Sequence, residues 1–270
     1  MLCNSENDTF TILFFGDVSG DAGLRALRFM LPGLKKRYKA DAVVVNGENS
    51  DNGYGISEKS FLTLKEIGVD VVTLGNHALE KEEIYPVLDE DKTLLRPHNF
   101  LEGSPGKGYG VYEGGGVKFG VLNIHTRSGV IMGAVDCPYK TTEKALKQIL
   151  KETPIVLVDL HGEECFEKEA YFFAFKGQVS LILGTHTHVQ TDDDKIVDGT
   201  GYITDVGMCG AKESVIGGSI EVSIERARTC LPMKIPAVSS KAVLMGVSAT
   251  IDVKSGKCLA FEKINIDEEE

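Results

Sequence analysis

Residue types that bind transition metals occur directly after several predicted strands of this sequence. Gly16-Asp17, Asn46-Gly47-Glu48-Asn49 and Gly75-Asn76-His77 follow the first three of these strands. Two later strands are followed by His161 and by Gly184-Thr185-His186-Thr187-His188. Carboxylate, amide and imidazole groups without thiolate suit Mn, Fe, Zn, Co or Ni, but not a structural zinc. The pattern therefore predicts a transition-metal site.

The candidate ligands are too many for one ion. Two ions about 3.5–4 Å apart, bridged by a carboxylate and a hydroxide, would use all of them. Two divalent ions bring four positive charges against the two negative charges of Asp17 and Glu48, inside a chain whose net charge is −11. This local excess of positive charge suits a phosphate group.

Each motif taken alone has a plainer interpretation. A Gly-Asp pair after a strand is common in turns and helix caps, Asn76 could cap a helix, and His161 could be a hydrogen-bonded core histidine. His186 and His188 would face one metal cluster if their segment is extended, because alternate side chains of a strand point the same way. The combination of five such strand ends favours a metal site.

Strands alternating with helices must position these residues. Apolar, β-branched runs of strand length occupy residues 11–15, 42–45, 69–74, 117–123, 154–160, 179–183 and 201–204. Leucines at helical spacing lie between Leu24 and Leu34, and helices are also predicted over 57–67, behind a Ser57 cap, and over 142–150. The alternation predicts a largely parallel sheet, and the carboxyl ends of parallel strands meet at one edge, where ligands bind.

The last part of the chain has a different pattern. Residues 241–253 and 258–266 alternate apolar and polar side chains around Lys254-Ser255-Gly256-Lys257, which predicts an antiparallel hairpin. A second, more antiparallel sheet is therefore expected to pack on the first. Since no repeat or linker divides the chain, we expect one domain over residues 1–270, with residues 1–9 as a flexible arm.

Composition excludes several classes of protein. The 42% hydrophobic and 26% charged residues among 270 are typical of a globular chain, not of a disordered chain or a coiled coil. A net charge of −11 leaves no basic stripe, so stable binding to duplex nucleic acid is not expected. Because the sequence has neither a membrane-spanning run nor a leader pattern, we expect a cytoplasmic protein without membrane contact.

The order of these motifs resembles the calcineurin-like metallophosphoesterase superfamily and, within it, the YmdB-type phosphodiesterases. Further matches are Arg96-Pro97-His98-Asn99-Phe100, Pro105-Gly106-Lys107-Gly108 and Tyr202-Ile203-Thr204-Asp205-Val206-Gly207-Met208. The resemblance implies an α/β fold, the four-layer αββα sandwich of metallophosphoesterases, carrying a dinuclear site. It implies two divalent or mixed-valence ions, Fe or Mn before Zn, Co or Ni, and hydrolysis of phosphodiesters such as 2′,3′- or 3′,5′-cyclic nucleotides. It also implies a homo-oligomer, either a dimer or a tetramer.

The resemblance also implies a ligand set at the matching positions. The first metal would be held by Asp17, Glu48 and His188, and the second by Glu48, Asn76, His161 and His186. Position 19, a histidine ligand in most of the superfamily, is Ser19 here. In the YmdB-type enzymes a neighbouring amide fills this place, which makes Asn49 the expected replacement.

Three aspartates are candidates for supporting the ligands. Asp51 stands where many wider-superfamily phosphatases carry an aspartate that orients the catalytic histidine, with a solvated loop residue as the favoured alternative. Asp159, on the same strand face as His161, could accept a hydrogen bond from a ligand imidazole, or cap a helix. Asp205 could support the site in a similar way. His98 and His125, where the family usually has other residues, are left outside the ligand set.

The expected mechanism is in-line attack on phosphorus by a metal-bridging hydroxide. His77, next to Asn76, would protonate or electrostatically stabilise the leaving oxygen.

Three alternative functions stay open. The same core could serve a phosphomonoesterase or protein phosphatase, or a regulatory module that binds a nucleotide or a partner with incidental hydrolysis. An amidohydrolase also uses a His-x-His pair, but would carry it early in the chain rather than late.

Overall fold

Two β-sheets and their flanking helices build the part of the chain that the computed structural model describes, residues 8–130 and 133–268. The strands are β1 (Thr9–Phe15), β2 (Asp17–Val18), β3 (Ala42–Asn46), β4 (Val71–Thr73), β5 (Leu94–Leu95), β6 (Tyr109–Gly114), β7 (Val117–His125), β8 (Val156–His161), β9 (Leu181–Thr185), β10 (Lys195–Val197), β11 (Thr200–Ile203), β12 (Met208–Ala211), β13 (Ala242–Asp252) and β14 (Cys258–Asp267). The α-helices are α1 (Gly20–Tyr38), α2 (Glu58–Ile67), α3 (Tyr85–Glu90), α4 (Pro138–Ile149), α5 (Cys165–Phe175) and α6 (Ile220–Thr229), and a 3₁₀ turn, Glu82–Ile84, precedes α3.

The first sheet has the strand order β2-β12-β13-β1-β3-β4-β5, with β14 paired to β13. Strands β1, β3, β4 and β5 are parallel, while β13 runs antiparallel to β1. The predicted hairpin is confirmed as β13 and β14. It extends the first sheet, however, so the expectation that it belongs to a second sheet was wrong. β1 is buried from residue 12 to residue 15, and it pairs with β3 on one side and with β13 on the other.

The second sheet has the strand order β10-β11-β9-β8-β7-β6. Its four inner strands, β11, β9, β8 and β7, are parallel. Antiparallel pairing occurs at its two edges, β10 and β6. The second sheet is therefore mostly parallel, in contrast to the expectation of a more antiparallel one.

Three hydrophobic clusters hold the elements together as four layers. Phe14 of β1 and Leu157 of β8 share a buried cluster between the two sheets. Leu31 of α1 packs in a second cluster, on the outer face of the first sheet together with α2 and α3. Ile149 of α4 and Phe172 of α5 cover the outer face of the second sheet. The predicted αββα sandwich is confirmed.

The predicted N-terminal arm is only partly described. Residues 1–7 lie outside the described ranges, but Thr9 pairs with Asp252 and the Asp8 carbonyl accepts a hydrogen bond from Val253 N at 3.0 Å. The strand therefore begins before residue 11, because pairing with β13 continues past the apolar run. Within the described ranges, the helices are too short or too polar to cross a membrane.

Candidate metal centre

The two sheets bring the carboxyl ends of their strands to one place. Asp17 lies just beyond β1, and Glu48 and Asn76 lie just beyond β3 and β4, all in the first sheet. His161 ends β8 and His186 follows β9, both in the second sheet. The first four of these side chains are buried and His186 is partly exposed. The structure thus gathers residues that the sequence predicted as ligands.

The absence of a side chain at Gly75 lets His161 and Glu48 lie close to each other. A Cβ at position 75 would lie 2.3 Å from His161 Nε2 and 2.4 Å from Glu48 Oε2. Any side chain there would therefore occupy the space between the two sheets where the ligands meet.

A chain of hydrogen bonds determines which nitrogen of His161 carries a proton. The Thr185 hydroxyl donates to Asp159 Oδ1 at 2.6 Å, so it accepts from His161 Nδ1 at 2.8 Å. The neutral imidazole therefore has its proton on Nδ1 and a lone pair on Nε2. Asp159 was expected to accept a hydrogen bond from the imidazole directly. Thr185 of the neighbouring strand lies between them instead.

The Nε2 lone pair of His161 faces two acceptor oxygens and a second imidazole. Asn76 Oδ1 lies 2.8 Å away, and Glu48 Oε1 and His186 Nδ1 each lie 3.0 Å away. His186 Nε2 lies 3.0 Å from Glu163 Oε2. Glu163 was not predicted, although an acidic residue two positions after His161 was a visible signal.

Three acceptors, His161 Nε2, Asn76 Oδ1 and Glu48 Oε1, thus face one another without a proton between them, an arrangement that fits a cation. Glu48, His161 and His186 offer ligand atoms that all lie within 4.8 Å of one another. Burial lowers the pKa of His161 to about 3, so its imidazole is neutral and able to bind a metal at neutral pH. Burial and the nearby Glu48 carboxylate raise the pKa of Asp17 well above its usual value.

Asp17, Asn49 and His188 form a second group beside the first. Asp17 Oδ1 is buried and has no hydrogen-bond partner among the described residues. His188 Nε2 lies 3.8 Å from it and 3.1 Å from the Asn49 side-chain amide. Since His188 Nδ1 donates to the Ile216 carbonyl at 2.7 Å, its Nε2 is an acceptor, and it accepts a hydrogen bond from the Asn49 side-chain NH2. Asp17 Oδ1 and His188 Nε2 are therefore the acceptors of this second group.

The His186–His188 segment differs from its predicted extended form. His186 has φ 109° and His188 has φ 65°, both in the left-handed region. A buried clamp holds this conformation, because Asp205 accepts from Thr187 N and from Lys168 Nζ, each at 3.0 Å. Both histidines still point at the site, but they do so through the bent backbone. Lys168, fully buried in α5, was missed because a lysine in a helix is ordinarily a surface residue.

His77 lies at the edge of the site, held at two points. Its backbone N donates to Glu48 Oε2 at 3.0 Å, and its Nδ1 lies 3.1 Å from Glu80 Oε1. Asp51 is not brought to His77, since its carboxylate pairs with Lys81. Glu80, three residues after His77, therefore takes the position that the sequence assigned to Asp51 as a candidate.

The two remaining histidines lie outside the cluster of candidate ligand atoms. The His98 ring lies edge-on to Tyr109, with centroids 4.8 Å apart. His125 is buried and donates through Nδ1 to the Thr126 carbonyl at 2.6 Å. Its ring centroid is 5.3 Å from that of His161, so it packs beside the ligands.

A cavity of about 390 Å³ opens onto the site. Glu48, Asn49, His77, His186 and His188 line it. A small molecule entering this cavity would therefore meet the candidate ligands and His77 together.

Comparisons with known proteins agree over nearly the whole chain. A family model described as YmdB-like protein matches residues 13–264. The 2′,3′-cyclic-nucleotide 2′-phosphodiesterase of Bacillus subtilis (strain 168) is 38% identical over 259 residues, which cover 96% of this chain and 97% of that protein.

Two solved structures are also similar. A novel phosphatase from Mycoplasma pneumoniae superposes with a TM-score of 0.90 and 35% identity, over 97% of this chain and 95% of that one. A hypothetical protein from Thermus thermophilus superposes with a TM-score of 0.88 and 36% identity, over 96% of this chain and 100% of that one.

Proposed function

The chain belongs to the YmdB-like protein family, and from this premise we propose that it is a metal-dependent phosphodiesterase that hydrolyses 2′,3′-cyclic nucleotides. The relative from Bacillus subtilis, named for that reaction, supports the choice of substrate. The structural relative named as a phosphatase makes a phosphomonoesterase the second candidate.

The observation that carries the proposal is the set of lone pairs around His161 Nε2. Thr185 accepts the hydrogen bond from His161 Nδ1, so Nε2 has no proton to offer to Glu48, Asn76 or His186. In a binding site for an organic molecule alone, such facing acceptors would cost free energy without compensation. A cation converts the same arrangement into favourable contacts.

Two cations would be held by different sides of the site. Asp17, Asn49 and His188 would bind one, Asn76, His161 and His186 the other, and Glu48 lies between the two groups. When bound, such ions polarise phosphoryl oxygens and lower the pKa of water.

His77 would donate a proton to the leaving oxygen. Its Nδ1 faces Glu80, so its Nε2, on the opposite side of the ring, is available to a substrate in the cavity. The bond from His77 N to Glu48 Oε2 fixes the backbone that carries this ring. The imidazole is therefore positioned by the site itself.

The test uses metal-free protein reconstituted with Mn²⁺, with 2′,3′-cyclic AMP, 3′,5′-cyclic AMP and the monoester 3′-AMP as substrates. We expect Mn²⁺-dependent hydrolysis of 2′,3′-cyclic AMP, lost in His186→Ala and retained in the control His98→Phe. Preference for 3′-AMP would favour the monoesterase. Bound Mn²⁺ with no turnover of any ester would favour a regulatory binding module.

A further inference from the structure

One residue of the cavity lining has a backbone conformation unusual for its type. Ile216 has φ 49°, which a β-branched side chain seldom adopts. Its carbonyl holds His188 Nδ1, and its side chain lines the cavity while 54% exposed. Glycine would meet the backbone requirement without strain. The isoleucine side chain therefore calls for a reason of its own.

Ile216 is one of several apolar residues at this side of the cavity. Val215, 40% exposed, and Ile235 line it as well. The same three residues border a second cavity of about 540 Å³ beside the first. Apolar side chains bind neither a metal ion nor a phosphate group, so this side of the cavity fits another part of the substrate.

Arg226 of α6 lines both cavities together with these residues. Among the described residues its guanidinium has one acceptor, the Met233 carbonyl, at 3.4 Å from Nη1. A guanidinium with further N–H groups to offer suits a phosphate oxygen. The first cavity thus offers the Arg226 guanidinium and an apolar surface next to the candidate metal ligands. Its volume of about 390 Å³ lies within the range for small organic ligands, about 300–1,000 Å³.

We propose that Val215, Ile216 and Ile235 form the subsite for the nucleobase of the substrate, and that Arg226 binds its phosphate. The inference rests on the proposed phosphodiesterase function and adds a preference for substrates that carry a base. A planar base would cover apolar side chains that are otherwise exposed, and the ribose phosphate attached to it would reach Arg226 and the candidate ligands.

The test compares 2′,3′-cyclic AMP with ribose 2′,3′-cyclic phosphate, which lacks the base. In Ile216→Asn, whose side chain tolerates positive φ, the ratio of kcat/KM for the two substrates should fall about tenfold. Arg226→Ala should raise KM for both substrates about 10- to 100-fold and leave their ratio unchanged. Arg228→Ala, on the same helix but lining neither cavity, should change neither value.

The outcomes separate the two proposals. If both substrates are hydrolysed and Ile216→Asn keeps the wild-type ratio, the nucleobase subsite is wrong while the phosphodiesterase function stands. If the metal-loaded wild type hydrolyses neither substrate, the function fails and the subsite fails with it. Metal content and thermal melting of Ile216→Asn should match the wild type, which makes a changed ratio attributable to the side chain.

Discussion

At the scale of single residues, the hydroxyl of Thr185 decides what His161 can do. It lies between Asp159 and the imidazole, donating its own proton to the carboxylate and accepting a hydrogen bond from Nδ1. Burial raises the pKa of Asp159 to about 7, while donated hydrogen bonds, first that of Thr185, act to lower it. Thr185, one hydrogen bond away from the candidate ligand His161, thus determines which nitrogen of that imidazole has the lone pair.

Replacing Thr185 should therefore weaken metal binding without touching a ligand. We expect Thr185→Val to lower Mn²⁺ affinity about 10- to 100-fold, because nothing then holds His161 in the required tautomer. Thr185→Ser keeps the hydroxyl and should keep the affinity. Competition with a fluorescent chelator measures both variants, and equal affinities in Val and Ser variants would refute the role of the hydroxyl.

His98 gives a prediction on pH dependence that is independent of the metal. Burial, then the charge of Arg96, lower the pKa of His98 to about 4, against about 6.5 in an unfolded chain. Between these values the unfolded chain binds more protons, so stability is complete above about pH 7 and falls as the pH drops toward 4. The partly exposed ring is screened by solvent, which reduces the expected loss to about 2 kcal/mol.

Urea unfolding of metal-free protein at pH 7 and pH 4.5 measures this loss. His98→Phe keeps a ring against Tyr109 but cannot titrate, so the wild type should lose about 2 kcal/mol more than the variant on acidification. Parallel losses in the two proteins would place the His98 pKa near its ordinary value.

At the scale of elements, the candidate site depends more on the residues that follow the strands than on those within them. β4 ends where Gly75 passes between His161 and Glu48 with no room for a Cβ. In contrast, Gly33 lies within α1 with open space around the position of its missing Cβ. The same substitution should therefore have opposite effects at the two positions.

Gly75→Ala should abolish Mn²⁺ binding, because the added methyl would displace ligand atoms by more than a metal site tolerates, and activity should fall at least about a hundredfold. Gly33→Ala should retain metal and activity and raise the free energy of unfolding by about 0.5–1 kcal/mol, since alanine favours the helix. Metal analysis and urea unfolding of both variants check this. A metal-loaded Gly75→Ala protein would mean that the site lies elsewhere.

The sequence predicted the strand ends well and the supporting side chains poorly. Strand position follows from hydrophobic runs, and the ligand-type residues directly after them could be expected to meet without knowing any side-chain direction. They follow strands of two sheets, however, and not the edge of one sheet as predicted. Glu80, Glu163 and Lys168 support the site from a turn or a helix, and which way such side chains point depends on packing. The left-handed backbone at His186 also carries no signal, because no glycine marks it.

At the scale of the molecule, the candidate site lies between the sheets. One sheet supplies carboxylates and amides, and the other supplies imidazoles. The fold class could be predicted because alternating strands and helices leave few architectures. The sheet to which the hairpin belongs could not be predicted. Alternating apolar and polar residues indicate that one face of a strand is buried, but not which strand pairs with it.

A cation bound at this place should therefore stabilise the whole molecule. Mn²⁺ at about a hundred times its Kd would add about 2.7 kcal/mol, which for a chain of this length raises Tm by about 5–10 °C. Thermal melting of metal-free protein with and without Mn²⁺ tests this, and His186→Ala should show a smaller rise. Identical melting curves for the wild type with and without Mn²⁺ would argue against a cation between the sheets.

The position of β1 bears on how the chain folds as it is made. β1 ends at residue 15, yet it is flanked by β3 on one side and by β13, which begins at residue 242, on the other. One edge of this strand thus stays unpaired until the chain has been made beyond residue 242. Such an edge is prone to pair with other chains. Pairing with β13 closes this edge, and a chaperone that shields β1 until then would protect the nascent chain.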